Sequence, residues 1–252
     1  MAKTFAVVVA LIAAFAAANG ARAQVVSADP GKWAVELGVA TRVRPHFIGS
    51  SEYKPDIVPI IEAAFGRRVH ISLEDGATWS VVKWGQLQLG PVAEFRQFYD
   101  VKLPKRSRRA GDSTEVGLFS KIDLSIAEAE IRVRKAVSGY DGWSGDASFG
   151  TLVPLSKRIS LGIEGRLGWG DQDFTKAHFG PSYETVRLKR MLRSEQFWTY
   201  GAQLGLFYQF TPKLALIGFV GDDYIVSPTK VKSFTSTRNA ANFGVGCRYK
   251  VW

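Results

Sequence analysis

The chain has one cysteine among its 252 residues. That excludes an intramolecular disulfide framework and a CxxC zinc site. Its three histidines, His46, His70 and His178, stand far apart, so no histidine-based metal cluster is expected, and no cofactor is expected either. After residue 23 no apolar run approaches the ~18 residues that a transmembrane helix needs. Acidic side chains are in the minority, 23 against 33 Lys and Arg, for a formal net charge of +10. Any partner reached through charge is therefore anionic. With 46% hydrophobic and 22% charged residues, the chain has enough apolar surface to fold and does not have the composition of a disordered protein.

Residues 1–23 read as an export signal. Lys3 provides a positive start, Phe5 to Ala18 is apolar, and Ala21-Arg22-Ala23 fits the small-x-small cleavage pattern. The mature chain is then 24–252, and losing Lys3 and Arg22 lowers the net charge to +8. Gln24, not a cysteine, stands directly after the cleavage pattern, so no lipoprotein anchor is expected.

Alternation dominates the remainder. Ile159, Leu161, Ile163, Leu167 and Trp169 alternate with Ser160, Glu164 and Arg166, and Phe243, Val245, Cys247, Tyr249 and Val251 alternate with Asn242, Arg248 and Lys250. Period two with one polar face is the signature of a one-sided strand. Between Trp198 and Phe210 one face reads Trp198, Tyr200, Ala202, Leu204, Leu206, Tyr208, Phe210. Aromatics lie at both ends with aliphatics between. A tilted strand of this length rises roughly 28–30 Å, close to the ~25 Å apolar band between the aromatic girdles of an outer-membrane barrel. The expected fold is all-β: an antiparallel transmembrane β-barrel of the outer-membrane type in a Gram-negative bacterium. Trp252 provides the usual aromatic ending, one residue out of the alternation that ends at Val251.

Eleven strand segments can be marked, near 32–43, 56–65, 69–82, 86–99, 114–124, 126–137, 143–154, 158–169, 196–210, 213–225 and 240–251, whereas single-chain bacterial barrels close with even numbers. Asp75-Gly76 is a hairpin signal that splits 69–82 into two short strands. Residues 171–195 are the other place for a missing strand. The expectation is twelve strands, with ten as the fallback.

With the apolar face on lipid, the opposite face lines the lumen. A charge network of Glu128, Glu130, Arg132, Arg134, Glu164 and Arg166 is expected there, together with Glu36, Arg42, Glu94, Arg96, Glu115, Lys121 and Asp123. The signs are mixed. The set reads either as a plug of paired charges or as a narrow charge-lined pore. Two basic runs fall in outer loops: Lys102, Lys105, Arg106, Arg108 and Arg109 in one, Arg187, Lys189, Arg190 and Arg193 in the other. Guanidinium forks suit lipopolysaccharide phosphates, and export makes nucleic acid a remote partner. Neither GxSxG nor HExxH is present, and His46 beside Ser50 and Ser51 reads as a loop residue, so no catalytic site is expected.

Pro45-His46-Phe47-Ile48-Gly49-Ser50-Ser51-Glu52-Tyr53 followed by Pro59, Trp169-Gly170-Asp171-Gln172-Asp173-Phe174 with His178-Phe179-Gly180, and Tyr208 to Pro212 leading to Asp222-Asp223-Tyr224 and Ser227-Pro228 resemble, in order, motifs of the MipA/OmpV family of MltA-interacting outer-membrane proteins. Gly180-Pro181 stands where that family has Gly-Val. The resemblance implies a non-enzymatic barrel in contact with outer-membrane lipid and lipopolysaccharide. It also implies a scaffold for a peptidoglycan lytic transglycosylase and a peptidoglycan synthase; a small solute channel or an adhesin are the alternatives. The resemblance brings no catalytic residues. The Gly49-Ser50 turn and the Trp169–Asp173 segment read as structural, with Asp171 and Asp173 satisfying turn amides.

Overall fold

Alternating β-branched, aromatic and small residues favour a pleated sheet whose two faces differ. In a computed structural model, which describes residues 29–46, 49–96, 112–179, 196–226 and 237–252, they form thirteen strands and one helix. The strands are β1 (Trp33–Pro45), β2 (Tyr53–Phe65), β3 (Val69–Ser72), β4 (Gly76–Trp79), β5 (Val82–Trp84), β6 (Leu87–Arg96), β7 (Ser113–Asp123), β8 (Glu128–Ala136), β9 (Trp143–Pro154), β10 (Ile159–Gly170), β11 (Phe197–Gln209), β12 (Leu214–Val226) and β13 (Asn239–Lys250). Helix α1 (Gln172–Phe179) follows β10. Residues 1–23, read above as an export signal, lie outside the described residues.

Every pairing is antiparallel between sequence neighbours, except that β1 pairs with β13 and β4 reaches past β5 to β6. Both β4 and β5 lie along β6, through Thr78↔Val92 and Val82↔Leu89. They are two halves of one strand, broken at Ser80 and Val81. The ring therefore has twelve positions and closes without a free end, as the even count requires.

The parity break is at Asp75-Gly76. Gly76 has φ +77°, and a Cβ there would lie 2.2 Å from the Ala93 carbonyl oxygen. Both the left-handed backbone and the close approach demand glycine. Gly76→Val is expected to uncouple β4 from β6 and to cost the barrel its compact, heat-modifiable form, read as loss of the fast-migrating band on unboiled gels. Residues 171–195 were the other candidate for a strand. The described part of that stretch is α1 instead, because the Asp171 side chain caps a helix there (below).

One strand starts earlier than its sequence suggests. The sequence marks this strand only from about residue 56, yet β2 begins at Tyr53 and contains both Pro55 and Pro59. Both are tolerated because their nitrogens face away from β1. Ile61, of the same parity, turns its carbonyl to the β3 side, where it accepts from Leu73 N at 3.1 Å. Proline is allowed on an edge where no ladder donor is required.

The exterior is apolar. Leu118, Ile131, Leu167, Leu204, Leu206, Val220 and Val245 are exposed along its middle. At the short-turn end Trp33 packs on Phe65 with centroids 5.2 Å apart, beside exposed Trp84, Phe210 and Trp252. At the other end Trp169 pairs with Trp198 at 6.3 Å and Tyr200 with Tyr224 at 5.2 Å. An aliphatic belt between two aromatic girdles is a surface made for a bilayer. Among the described residues no helix is long and apolar enough to cross a membrane; the crossing is made by strands.

Candidate functional site

Alternation places Glu94 and Arg96 of β6, Glu115 of β7, Arg134 of β8 and Ser144 and Asp146 of β9 on the lumen side, and cross-strand register brings them together. Glu94 lies opposite Glu115, and Arg134 opposite Ser144. Two carboxylates side by side repel unless cations intervene. Arg134 does so, with Nε 3.3 Å from Glu94 and 3.2 Å from Glu115, and it also pairs with Asp146. Arg96 closes on Glu115 at 3.3 Å. Ser144 Oγ and Tyr140 Oη donate to Glu115 at 2.6 and 2.7 Å. Glu115 is 0% exposed and Arg134 2%. Burial and the neighbouring Glu115 carboxylate hold the Tyr140 phenol above its ordinary range.

Elsewhere the lumen charges form smaller groups. Arg132 pairs with Glu130, and Lys121 with Glu128 at 2.7 Å. Arg166 lies 3.1 Å from both Asp223 and Gln203 and 3.8 Å from Glu164. Arg248 meets Glu36 at 3.2 Å. The sequence-derived set of Glu128, Glu130, Arg132, Arg134, Glu164 and Arg166 thus lines the lumen, but as separate pairs and clusters rather than one net. Sequence reasoning did not place Ser144, Asp146, Tyr140 or Asp223 in the lumen network. The alternation of β9 and β12 carried the signal for Asp146 and Asp223, whereas Tyr140 sits in a loop and offered none. Lys102, Lys105, Arg106, Arg108 and Arg109, like Arg187, Lys189, Arg190 and Arg193, lie outside the described residues.

The β3–β4 turn points into this lumen. Glu74 is bound by Arg42 of β1 at 2.5 Å, and the Asp75 carbonyl accepts from Arg132 Nη1 of β8 at 2.9 Å. One tip is held from two well-separated parts of the wall.

Helix α1 covers the long-loop mouth. The Asp171 carboxylate accepts from the amides of Asp173 and Phe174 at 3.0 and 2.8 Å, an N-cap. Asp173, expected to satisfy a turn amide, instead pairs with Lys176 at 2.6 Å. Phe174 is buried against Phe197, Ile225 and Tyr140, over Gly170, where a Cβ would come within 2.2 Å of the ring. The Arg96 guanidinium lies 5.9 Å from the Phe174 ring centroid. The mouth and the Glu115 cluster are therefore one packed unit.

His178 stacks on Phe174 at 3.8 Å, with Nδ1 2.8 Å from the Phe174 carbonyl oxygen. Burial, reinforced by Arg96, pushes its pKa down to about 4. The unfolded imidazole titrates near 6.5, so the neutral packed ring contributes stability that is complete above that pH and is lost as pH falls toward 4. Hydrogen exchange at the amides of α1 should accelerate across that window in the native barrel and not in His178→Phe. Equal pH profiles for the two proteins would show that His178 does not control the docking of α1.

Among the described residues no three His, Cys, Asp or Glu side chains are placed to hold a metal. His46 and His70 lie apart from the Glu115 cluster. His46 N donates to the Glu52 carbonyl, and Ser50 Oγ accepts from Glu52 N at 3.0 Å, a turn of structural character. What the lumen chemistry does is hold strands to one another.

A family model described as MltA-interacting protein MipA matches residues 37–251. The chain belongs to the MipA family. Together with the closed twelve-strand barrel and its apolar belt, this makes it an outer-membrane protein of a Gram-negative bacterium. Among solved structures, this MipA-family barrel is similar to the NanC porin, with 12% identity and a TM-score of 0.48 over 85% of this chain and 100% of that one. It is also similar to an outer-membrane channel of Pseudomonas putida F1, with 12% identity and a TM-score of 0.44 over 91% and 99%. OmpT of Vibrio cholerae matches with 10% identity and a TM-score of 0.42 over 91% and 100%. No curated protein matches the MipA-family chain.

Proposed function

We propose that this MipA-family barrel is a non-conducting, non-enzymatic anchor that holds peptidoglycan-remodelling enzymes, a lytic transglycosylase and with it a synthase, at the inner face of the outer membrane. The observation that carries this reading is where the unspent charge lies. Among the described residues the lumen arginines and Lys121 are committed to lumen carboxylates, whereas the short-turn end presents exposed cations. Arg68, Lys157, Arg158 and Lys213 are exposed and make no ion pair among the described residues. Short turns limit the docking area, and a ring of cations compensates by steering an acidic face onto it. The family description, an MltA-interacting protein, names the partner class. The basic runs Lys102–Arg109 and Arg187–Arg193, outside the described residues, are the proposed contacts for lipopolysaccharide phosphates.

The test is capture of a purified periplasmic lytic transglycosylase by the folded barrel. Reversing three rim charges (Arg68→Glu, Arg158→Glu, Lys213→Glu) should reduce capture at least tenfold at low salt and leave heat modifiability intact. A folded triple variant that captures as well as the native barrel would overturn docking on the rim. A native barrel that captures nothing would overturn the anchor reading.

A further inference from the structure

The lipid-facing belt is notched at Gly218 of β12. Leu206 of β11 and Val245 of β13 stand on either side of it in register. With Leu204, Val220 and Phe243 they wall an apolar groove of about 640 Å³. The φ of Gly218 is not in the left-handed region, and a Cβ there would meet nothing nearer than 3.9 Å. Neither backbone nor packing requires this glycine, in contrast to Gly117, where a Cβ would lie 1.9 Å from the Val133 carbonyl oxygen. A glycine inside a strand weakens it, and one of the reasons it is found there is the close approach of a ligand. At the groove's edge the Thr41 hydroxyl is turned back onto the Val245 carbonyl at 3.4 Å, so the groove suits a hydrocarbon chain.

Toward the long-loop end the same outward row of β12 turns polar. Asp222 is exposed there between Ala202 of β11 and Ala241 of β13, and it accepts from Asn239 Nδ2 at 2.9 Å. A carboxylate on a lipid-facing row is unfavourable unless polar groups meet it. Tyr224 follows, its hydroxyl accepting from Arg238 Nη1 at 3.0 Å, with the guanidinium 5.9 Å from the ring centroid. Arg238 thus meets a phenol and, among the described residues, no carboxylate. From Asp222 to Gly218 the strand runs roughly 13 Å, within reach of one acyl chain. Guanidinium suits phosphate, and the exposed carboxylate suits hydroxyl or amide donors. A narrow apolar notch capped by that set has the polarity of a phosphorylated glycolipid lying head outward. A flat protein face would leave so narrow a notch unfilled, whereas a single chain fills it.

We propose that the groove at Gly218 seats one acyl chain of a phosphorylated outer-leaflet glycolipid, with its phosphate on Arg238 and its sugar hydroxyl or amide donors on Asp222. Moving a chain from lipid onto an apolar wall brings no hydrophobic gain, so the groove contributes packing and the polar ledge contributes the choice of lipid. This goes beyond the anchoring role and uses none of its rim cations. It gives β11 to β13 a fixed lipid neighbour, distinct from the basic runs.

The probe is a bis-phosphorylated, acylated glucosamine-disaccharide lipid, titrated into the folded full-length barrel in detergent and followed by native mass spectrometry. Binding at least fivefold tighter than that of phosphatidylglycerol is expected. Gly218→Leu fills the groove, in surroundings that leave room for its Cβ, and should weaken binding at least fivefold. Arg238→Gln should weaken it to a similar extent and leave the affinity of the dephosphorylated lipid unchanged. Leu118→Phe, on the lipid-facing row of β7 across the ring, should change neither. Each variant is read only where the fast-migrating unboiled band persists. Binding no tighter than that of phosphatidylglycerol overturns the site. So does full binding by a folded Gly218→Leu or Arg238→Gln barrel, which would place the lipid elsewhere, or an equal loss in Leu118→Phe, which would mean an unspecific coat on the wall.

Discussion

Glu115→Leu is expected to destabilise the barrel by about 3–5 kcal/mol, the cost of breaking a buried ion cluster from one side. The carboxylate is the common acceptor of the outer-end unit: Arg96, Arg134, Tyr140 and Ser144 all converge on it. Removing it leaves two hydroxyls without their acceptor and leaves Arg134, itself 2% exposed, short of a counter-charge. Glu94 and Asp146 remain, which keeps the loss from being larger. Glu115→Gln keeps an oxygen for Tyr140 and Ser144 and loses only the charge, so about half the effect is expected. The double variant Glu115→Leu, Arg134→Leu removes both signs and should recover part of the loss, since a buried pair replaced by apolar side chains of similar size is often near neutral. Urea unfolding of the barrel in lipid vesicles reads all three. A loss under 1 kcal/mol for Glu115→Leu would mean that water reaches the cluster and shares its hydrogen bonds.

How much of this was legible in the chain differs by level. Lumen and lipid faces were readable, because β alternation is strict and a one-residue slip would turn Leu204 and Leu206 inward. The hairpin at Asp75-Gly76 was readable from its turn chemistry. Partners were not. Arg166 and Asp223 are 57 positions apart, and only the closed ring with its strand register brings β10, β11 and β12 into one row. The break between β4 and β5 also left no mark, since Ser80 and Val81 resemble strand residues. Ser80 instead prolongs the β3–β4 register, its amide donating to the Arg68 carbonyl at 2.7 Å, and its hydroxyl donates to Gln88 at 2.8 Å. Helix α1 was hidden because a chain of alternating strands invites reading every gap as loop or strand. Its cues were Asp171 as cap and the i, i+4 pair Phe174 and His178. The early start of β2 left little mark, because Pro55 and Pro59 fit a strand where no neighbour requires their N–H.

The native barrel is expected to be electrically silent in planar bilayers, and the double variant Arg42→Gln, Arg132→Gln is expected to conduct in discrete steps. Two contacts hold the β3–β4 tip inward, one to β1 and one to β8. The Arg42–Glu74 pair is partly open to solvent, with Glu74 67% exposed, and contributes at most about 1 kcal/mol. The hydrogen bond from the Arg132 guanidinium to the Asp75 carbonyl is charge-assisted and contributes about 1.5–3 kcal/mol. Together they bias the tip toward its inward position by about 2–4 kcal/mol. Removing both raises the population of a withdrawn tip by a factor of about 30–1000. Either single variant leaves one tether, so the effect should exceed the product of the singles only if the two act on the same motion, which a double-mutant cycle reads directly. Gln is chosen over Ala to keep volume, and the fast-migrating unboiled band must persist for the result to count. Silence from a folded double variant would place the barrier elsewhere, at the mouth where Phe174 packs on Phe197 and Ile225. Phe174→Ala would then be the variant that opens it. Steady conductance from the native barrel would mean that the paired charges line a path instead of blocking one.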